Sequence, residues 1–135
     1  MQSNSPEQEL YDAIYAEIES LALQEPGFSI YTHSPSSEAP YPFVRLGMTQ
    51  LVPIATKTAL LADMYQNISV WGSKWDRGKV SAIATSILKK LSRIKRTESF
   101  AIEMNVARST YLVRPDQSTQ DDLWVAEIST EWVLR

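Results

Sequence analysis

The sequence predicts an α+β fold: an antiparallel or mixed sheet of four to six strands, with two amphipathic helices packed on one face. Two stretches, near the N-terminus and from Val80 to Ile94, place apolar residues three and four apart. Others alternate apolar and polar with a period of two. The order is helix, strands, helix, strands, and short links between successive strands favour antiparallel pairing over a parallel α/β sheet.

Ser5-Pro6-Glu7-Gln8 is a helix start: Ser5 can cap, Pro6 suits the first helical position, and Gln8 can complete a capping box. Leu10, Ile14, Ile18 and Leu21 form the apolar line of a helix of about 20 residues, ended by Pro26-Gly27. Phe28 to Tyr31 is a short strand, and 32–40 is a Ser/Pro-rich loop. Tyr41 to Met48 is a strand with Val44, Leu46 and Met48 on one face and Phe43, Arg45 and Gly47 on the other. Pro42, lacking an amide donor, belongs at its start or on an edge. Met64 to Trp71 is the central strand, with Ile68 and Val70 opposite Asn67 and Ser69. Gly72 to Asp76 breaks the period, and the second helix carries Val80, Ile83, Ala84, Ile87, Leu88, Leu91 and Ile94 as one stripe. Beyond a turn at Lys95 to Glu98, Phe100, Ile102, Met104 and Val106 alternate as a strand, and Thr110 to Val113 form a shorter one. A polar loop from Pro115 to Asp122 leads into Leu123 to Leu134, which places Trp124, Ala126, Ile128 and Trp132 opposite Glu127, Ser129 and Glu131.

A chain of 135 residues suits one domain with its own core. Its net charge of −3 gives no overall basic field for nucleic acid or anionic membrane. The absence of cysteine excludes disulfides, thiolate nucleophiles and Cys-ligated zinc. The N-terminus lacks the basic and apolar regions of a signal peptide, and no apolar run approaches the length of a membrane span, so a soluble cytosolic chain is expected.

No catalytic constellation emerges. His33 lies in the Ser/Pro-rich loop without an acidic neighbour or a Gly-x-Ser-x-Gly elbow. Asp116, Asp121 and Asp122 lack the spacing and glycine of a calcium loop. Gly72 and Gly78 stand apart from any phosphate-cradling motif. Glu127 and Glu131 share a strand face but sit roughly 13 Å apart. No catalytic residue, cofactor or metal ligand is assigned.

Contact surfaces are better marked. Lys89, Lys90, Arg93, Lys95 and Arg96 gather cations at the end of the second helix. They either compensate its dipole on a solvated face or meet phosphates or an acidic neighbour. Acidic residues gather on the first helix, so opposite charges could pair between copies. Trp71 and Trp75, with Lys74 between them, flank the central turn. Either they anchor an interface, or Trp75 covers the helix N-terminus while Trp71 packs on a neighbouring strand. Leu51, Val52 and Ile54, near Lys57, belong either to an arm that reaches a neighbouring subunit or to an ordinary hairpin over the core.

The N-terminal helix, Pro42-Phe43-Val44 at a strand start, Ile68-Ser69-Val70-Trp71 before a turn, the helix from Val80 to Leu91 and a closing strand from Trp124 to Leu134 together form a pattern. It resembles the tail-completion (tail-terminator, head-to-tail joining) proteins of long-tailed bacteriophages and prophages, over most of the chain. The resemblance implies a structural, non-enzymatic virion protein, made in the host cytoplasm and placed at the head-proximal end of the tail. There it would form a ring, commonly six-fold, that stops tube growth and joins tail to head. The implied partners are further copies of itself, the tail tube protein and head–tail connector proteins, with DNA only passing through the lumen and no membrane. The basic cluster would face the lumen or a ring neighbour, and the 51–63 segment the tube protein or the next subunit. Other readings are another virion subunit, such as a connector component, or a small ligand-binding α+β domain.

Overall fold

The computed structural model describes residues 5–24, 27–33, 35, 39–54, 61–117 and 122–134. Ser5 caps helix α1 (Pro6–Ala22), its Oγ accepting the Gln8 amide at 3.2 Å, with Pro6 in the first turn. The Gln8 side chain does not close the box; its Nε2 donates to Asp12 Oδ1, one turn on, at 2.9 Å. The helix has 17 residues, fewer than its periodicity suggests. Gly27, at φ 79°, turns the chain so that the Phe28 amide reaches back to the Ala22 carbonyl at 3.4 Å.

Six strands form one mixed sheet: β1 (Ser29–Tyr31), β2 (Phe43–Ile54), β3 (Leu61–Ser73), β4 (Ile102–Met104), β5 (Thr110–Asp116) and β6 (Leu123–Leu134). Across the sheet the order is β1-β2-β3-β6, and β4 and β5 lie end to end along the far edge of β6. Only β1 and β2 run parallel; the other pairs are antiparallel. The closing strand is therefore central, paired with β3 from Ala62↔Leu134 to Ser73↔Leu123.

Helix α2 (Arg77–Leu91) follows β3 through a three-residue link, Lys74 to Asp76. Asp76 ties the turn, its Oδ2 accepting both the amide and the hydroxyl of Ser73 at 2.9 Å. Both helices lie on one sheet face. Leu10, Ile14 and Ile18 of α1 and Val80, Ala84, Ile87 and Leu91 of α2 close over Val44, Leu46, Met64, Ile68, Val70, Ala126, Ile128 and Trp132. Trp132 is fully buried, and its indole N–H donates to Thr130 Oγ1 at 2.9 Å. Glu9 fastens the N-terminal end of α1 to the chain after α2: its Oε1 accepts from the Thr97 hydroxyl at 2.7 Å and the Ser99 amide at 2.8 Å.

Four expectations are corrected. Val44, Leu46 and Met48 do not share a face, because a β-bulge intervenes. Leu46 pairs with Ile68 and Thr49 with Gln66, so Gly47 and Met48 together oppose Asn67, and Met48 turns out to 66% exposure. Gln66, fully buried, holds the bulge: its Nε2 donates to the Gly47 and Asn67 carbonyls, and its Oε1 accepts the Thr49 hydroxyl. The second helix starts a turn before Val80 and stops at Leu91; Ile94 joins the core from outside it. Val106 is not in a strand but opens a single 3-10 turn (Val106–Arg108), because β4 ends once Trp132 is paired. Pro115 and Asp116 belong to β5 rather than to a loop.

Candidate assembly surfaces

The exposed apolar side chains sort by their place in the sheet. β1 covers only Phe43 to Arg45 of β2, so the outer edge of β2 from Leu46 to Ile54 has no strand partner among the described residues. Met48, Val52 and Ile54 are exposed along it. At the opposite edge Leu112 of β5 and Val106 are exposed, and the outer side of β5 has no strand partner among the described residues, while β4 is met by the chain after α2, the Ile102 amide donating to the Lys95 carbonyl at 3.1 Å. Pro53 and Pro115 sit on these two edges, where a missing amide limits indiscriminate ladder growth.

Between the edges lies the sheet face that carries no helix. At one end Phe43 is the centre of a ring cluster: Tyr41 stacks on it at 5.5 Å, Trp71 at 6.3 Å, and Tyr31 meets it edge-on at 5.5 Å. In the next row stand Tyr31, Arg45 and Ser69 in register. The Arg45 Nε is buried and has no hydrogen-bond acceptor. Further along, Arg114 grips Glu127 through two bonds, at 2.9 and 3.2 Å. That grip holds the Glu127 carboxyl below its usual range and raises the Arg114 guanidinium. Glu131 accepts from Asn105 Nδ2 at 3.0 Å and lies 3.7 Å from Arg108. The two carboxylates are thus each held by a basic residue, in a structural arrangement.

Residues singled out in the sequence fall into three groups. Trp71 is half-buried in the ring cluster on the open face, opposite Val70, and its indole N–H donates to Ser69 Oγ at 3.0 Å. Trp75 does not cover the helix N-terminus: it is 83% exposed on the turn, with the Lys74 ammonium 5.1 Å from its ring centre. That place is filled by Trp124, which stacks with Arg77 at 5.2 Å and donates its indole N–H to the Lys74 carbonyl at 3.2 Å. Trp124 was legible as a strand residue but not as the turn's cover, because the two segments are far apart in sequence. The basic cluster divides. Lys90 pairs with Glu17 of α1 at 3.5 Å and Lys95 with Glu103 at 3.6 Å, whereas Lys89, Arg93 and Arg96 point to solvent. Glu9 and Glu17 are engaged within the chain, which removes part of the acidic set from contacts between copies. Leu51 faces the helices and packs against the core, while Val52 and Ile54 face the open side. This part of the hairpin is integral to the sheet, since Ala62 and Met64 opposite it are buried and paired with β6. Lys57 lies outside the described residues. His33 is exposed, within 3.4 Å of the Thr32 hydroxyl.

A second feature of shape is an open cleft of about 500 Å³ between the end of α1, the β1–β2 link and α2, with Leu21, Phe28, Pro42 and Ile83 among its lining. The Tyr111 hydroxyl, near Thr85 at 2.8 Å and Ser81 at 3.4 Å, secures β5 to α2.

The arrangement offers surfaces for contact and no catalytic constellation among the described residues. The family model described as tail completion protein gp17 matches residues 8–135. Among solved structures, a chain from the virion of a native gene transfer agent particle is similar in fold, with a TM-score of 0.68 at 14% identity. It covers 98% of this chain and 100% of its own. Bacteriophage SPP1 gp17 aligns over 92% of this chain and 88% of its own, with a TM-score of 0.49 and 18% identity. No curated protein matches in sequence. With nearly its whole length matched, the chain belongs to the tail completion protein gp17 family, structural phage proteins that complete the tail and join it to the head.

Proposed function

We propose that copies of this chain close into a ring, six-fold as is common in the family, that caps the head-proximal end of the tail tube and provides the seat for the head. The chain then works through subunit contact and not through catalysis. The observation that carries this reading is the pair of sheet edges, the outer side of β2 beyond Arg45 and that of β5, without a strand partner among the described residues. β2 presents Met48, Val52 and Ile54, and the opposite edge presents Leu112 and Val106. Two different apolar edges on one subunit suit a head-to-tail contact, which closes into a ring when the rotation per subunit allows it. The 83% exposed Trp75 adds an anchor of the kind enriched at interfaces.

Native mass spectrometry and electron microscopy of the purified chain test the ring, and co-sedimentation with purified tail tubes tests the cap. Rings that bind one end of the tube are expected. A chain that stays monomeric at every concentration and leaves tube length unaffected would overturn the reading.

A further inference from the structure

We propose that opposite charges on the two helices key the contact between copies: Asp12 and Glu19 of α1 on one subunit meet Lys89 and Arg93 of α2 on the next. The inference rests on the ring reading and adds what gives that contact its direction.

Charge is segregated along the chain. Residues 1–44 hold seven Asp or Glu and no Lys or Arg, whereas residues 77–96 hold seven Lys or Arg and no Asp or Glu. Contacts within the subunit engage part of each set: Glu9 is bound by Thr97 and Ser99, and Glu17 pairs with Lys90. Asp12 and Glu19 stay exposed on α1, and Lys89 and Arg93 on α2. None of the four forms an ion pair among the described residues. Lys89 and Arg93 lie one turn apart, about 6 Å along the axis, and Asp12 and Glu19 two turns, about 10 Å, so each helix presents a double charge to a facing one.

The sheet places the two stripes on opposite sides of the subunit. α1 packs on β1 and β2, and α2 on β3, β5 and β6. The β2 edge therefore lies beneath α1 and the β5 edge beneath α2. Setting the β5 edge of one copy beside the β2 edge of the next brings a basic α2 alongside an acidic α1. Setting like edges together would oppose two acidic or two basic helices. The charges thus favour head-to-tail contact and reject the two-fold pair. A polyanion such as DNA fits Lys89 and Arg93 less well, because the same helix layer exposes Asp12 and Glu19 and the whole chain stands at −3. A second copy presents both signs.

Native mass spectrometry of charge-reversed forms of the full chain tests the contact. Lys89→Glu with Arg93→Glu makes the exposed stripes of both helices acidic, and Asp12→Lys with Glu19→Lys makes both basic. Each variant alone should stay monomeric at concentrations where the unaltered chain forms rings, with its circular dichroism unchanged. Mixed in equal amounts, the two should recover rings that hold them in equal number, since every acidic helix again meets a basic one. Variants that merely fail to fold have no such rescue. Rings from either variant alone overturn the proposal while the ring reading stands; lost affinity for duplex DNA in the Lys89→Glu, Arg93→Glu chain would then assign its stripe to phosphates. A mixture that stays monomeric overturns the proposal as well. An unaltered chain that forms no ring overturns both readings.

Discussion

Gly72→Ala tests how closely the central strand and helix approach one another. Gly72 lies on the helix-facing side of β3, opposite Trp124 and just before the turn into α2. A Cβ at this position would stand 2.5 Å from Val80 Cγ2 and 2.7 Å from Asp76 Cβ. Carbon atoms pack at about 3.5–4.0 Å, so the deficit is about 1 Å on two sides. Neither neighbour yields cheaply. Val80 is β-branched and fully buried, and Asp76 is held by two bonds to Ser73. Overpacking of this kind costs about 1–3 kcal/mol. Against it stands the stabilisation of about 0.4–1 kcal/mol that Gly→Ala brings by restricting the unfolded chain, since Gly72 needs no positive φ. The balance is a net loss of about 1.5 kcal/mol, or a fall in Tm of about 5 °C for a chain of this size.

Urea unfolding followed by circular dichroism measures it, with the m-value expected to stay constant. In a Val80→Ala background the cost of Gly72→Ala should shrink by about 1 kcal/mol, because one of the two clashing atoms is gone. A Gly72→Ala protein as stable as the parent, or more so, would refute the close-approach argument. Strict additivity with Val80→Ala would place the cost elsewhere than in that contact.

Glu9→Gln should alter the dependence of stability on pH. The Thr97 hydroxyl and then the Ser99 amide hold the Glu9 carboxyl below the usual carboxylate range. A carboxyl lowered on folding adds stability above its unfolded pKa and loses it as pH falls through the folded value. The urea midpoints of parent and variant should therefore differ at pH 7 and converge in acid; a constant gap would count against the role of charge. Trp132→Leu, which empties volume at the centre of the core, should cost about 3 kcal/mol by urea unfolding. Val52→Lys or Leu112→Lys should abolish ring formation in native mass spectrometry while shifting monomer stability by no more than about 0.5 kcal/mol, since both sites are exposed and each faces a carboxylate across the ladder, Asp63 or Glu127. Gln66→Leu leaves the Thr49 hydroxyl and the Gly47 carbonyl without their present partner, and should cost about 1–3 kcal/mol in the same unfolding assay.

What was legible in the sequence follows from the range of the forces involved. Helix α1 and the stripe of α2 were readable because capping and the 3.6 period are local. β6 was readable because the alternation through its middle, Ala126 to Trp132, sets the parity that places Trp124, Ala126, Ile128 and Trp132 on the helix side. The strand around Val106 failed because alternation alone does not reveal where a partner strand ends. The assembly surfaces were only partly visible. Trp71 looked like its neighbour Trp75 in sequence, yet one is built into a ring cluster and the other stands free. Much of the supposed basic patch dissolved, since Lys90 and Lys95 find carboxylates far away along the chain.

The bulge in β2 shows why the exposed hydrophobes are a constructed surface. Val44, Leu46, Met48, Val52 and Ile54 all have even numbers, so a regular strand would point all five at the helices. The extra residue at Gly47 and Met48 reverses the parity. Val44 and Leu46 stay buried, Leu51 takes up the helix side, and Val52 and Ile54 move to the open face beside the half-buried Asp63 and Leu61. The reversal is not slack in the chain. A fully buried glutamine, expensive to bury unless satisfied, is satisfied by the carbonyls and hydroxyl that the bulge presents. Gly47 admits the crossing strand, since a Cβ there would meet the Asn67 carbonyl oxygen at 3.3 Å. One buried polar side chain thus holds a local irregularity whose consequence is to expose three apolar side chains along an unpaired edge. In an isolated monomer that would be a liability for aggregation. In the ring proposed above, it would present that edge at a fixed place and angle, and the buried Gln66 would thereby bear on assembly.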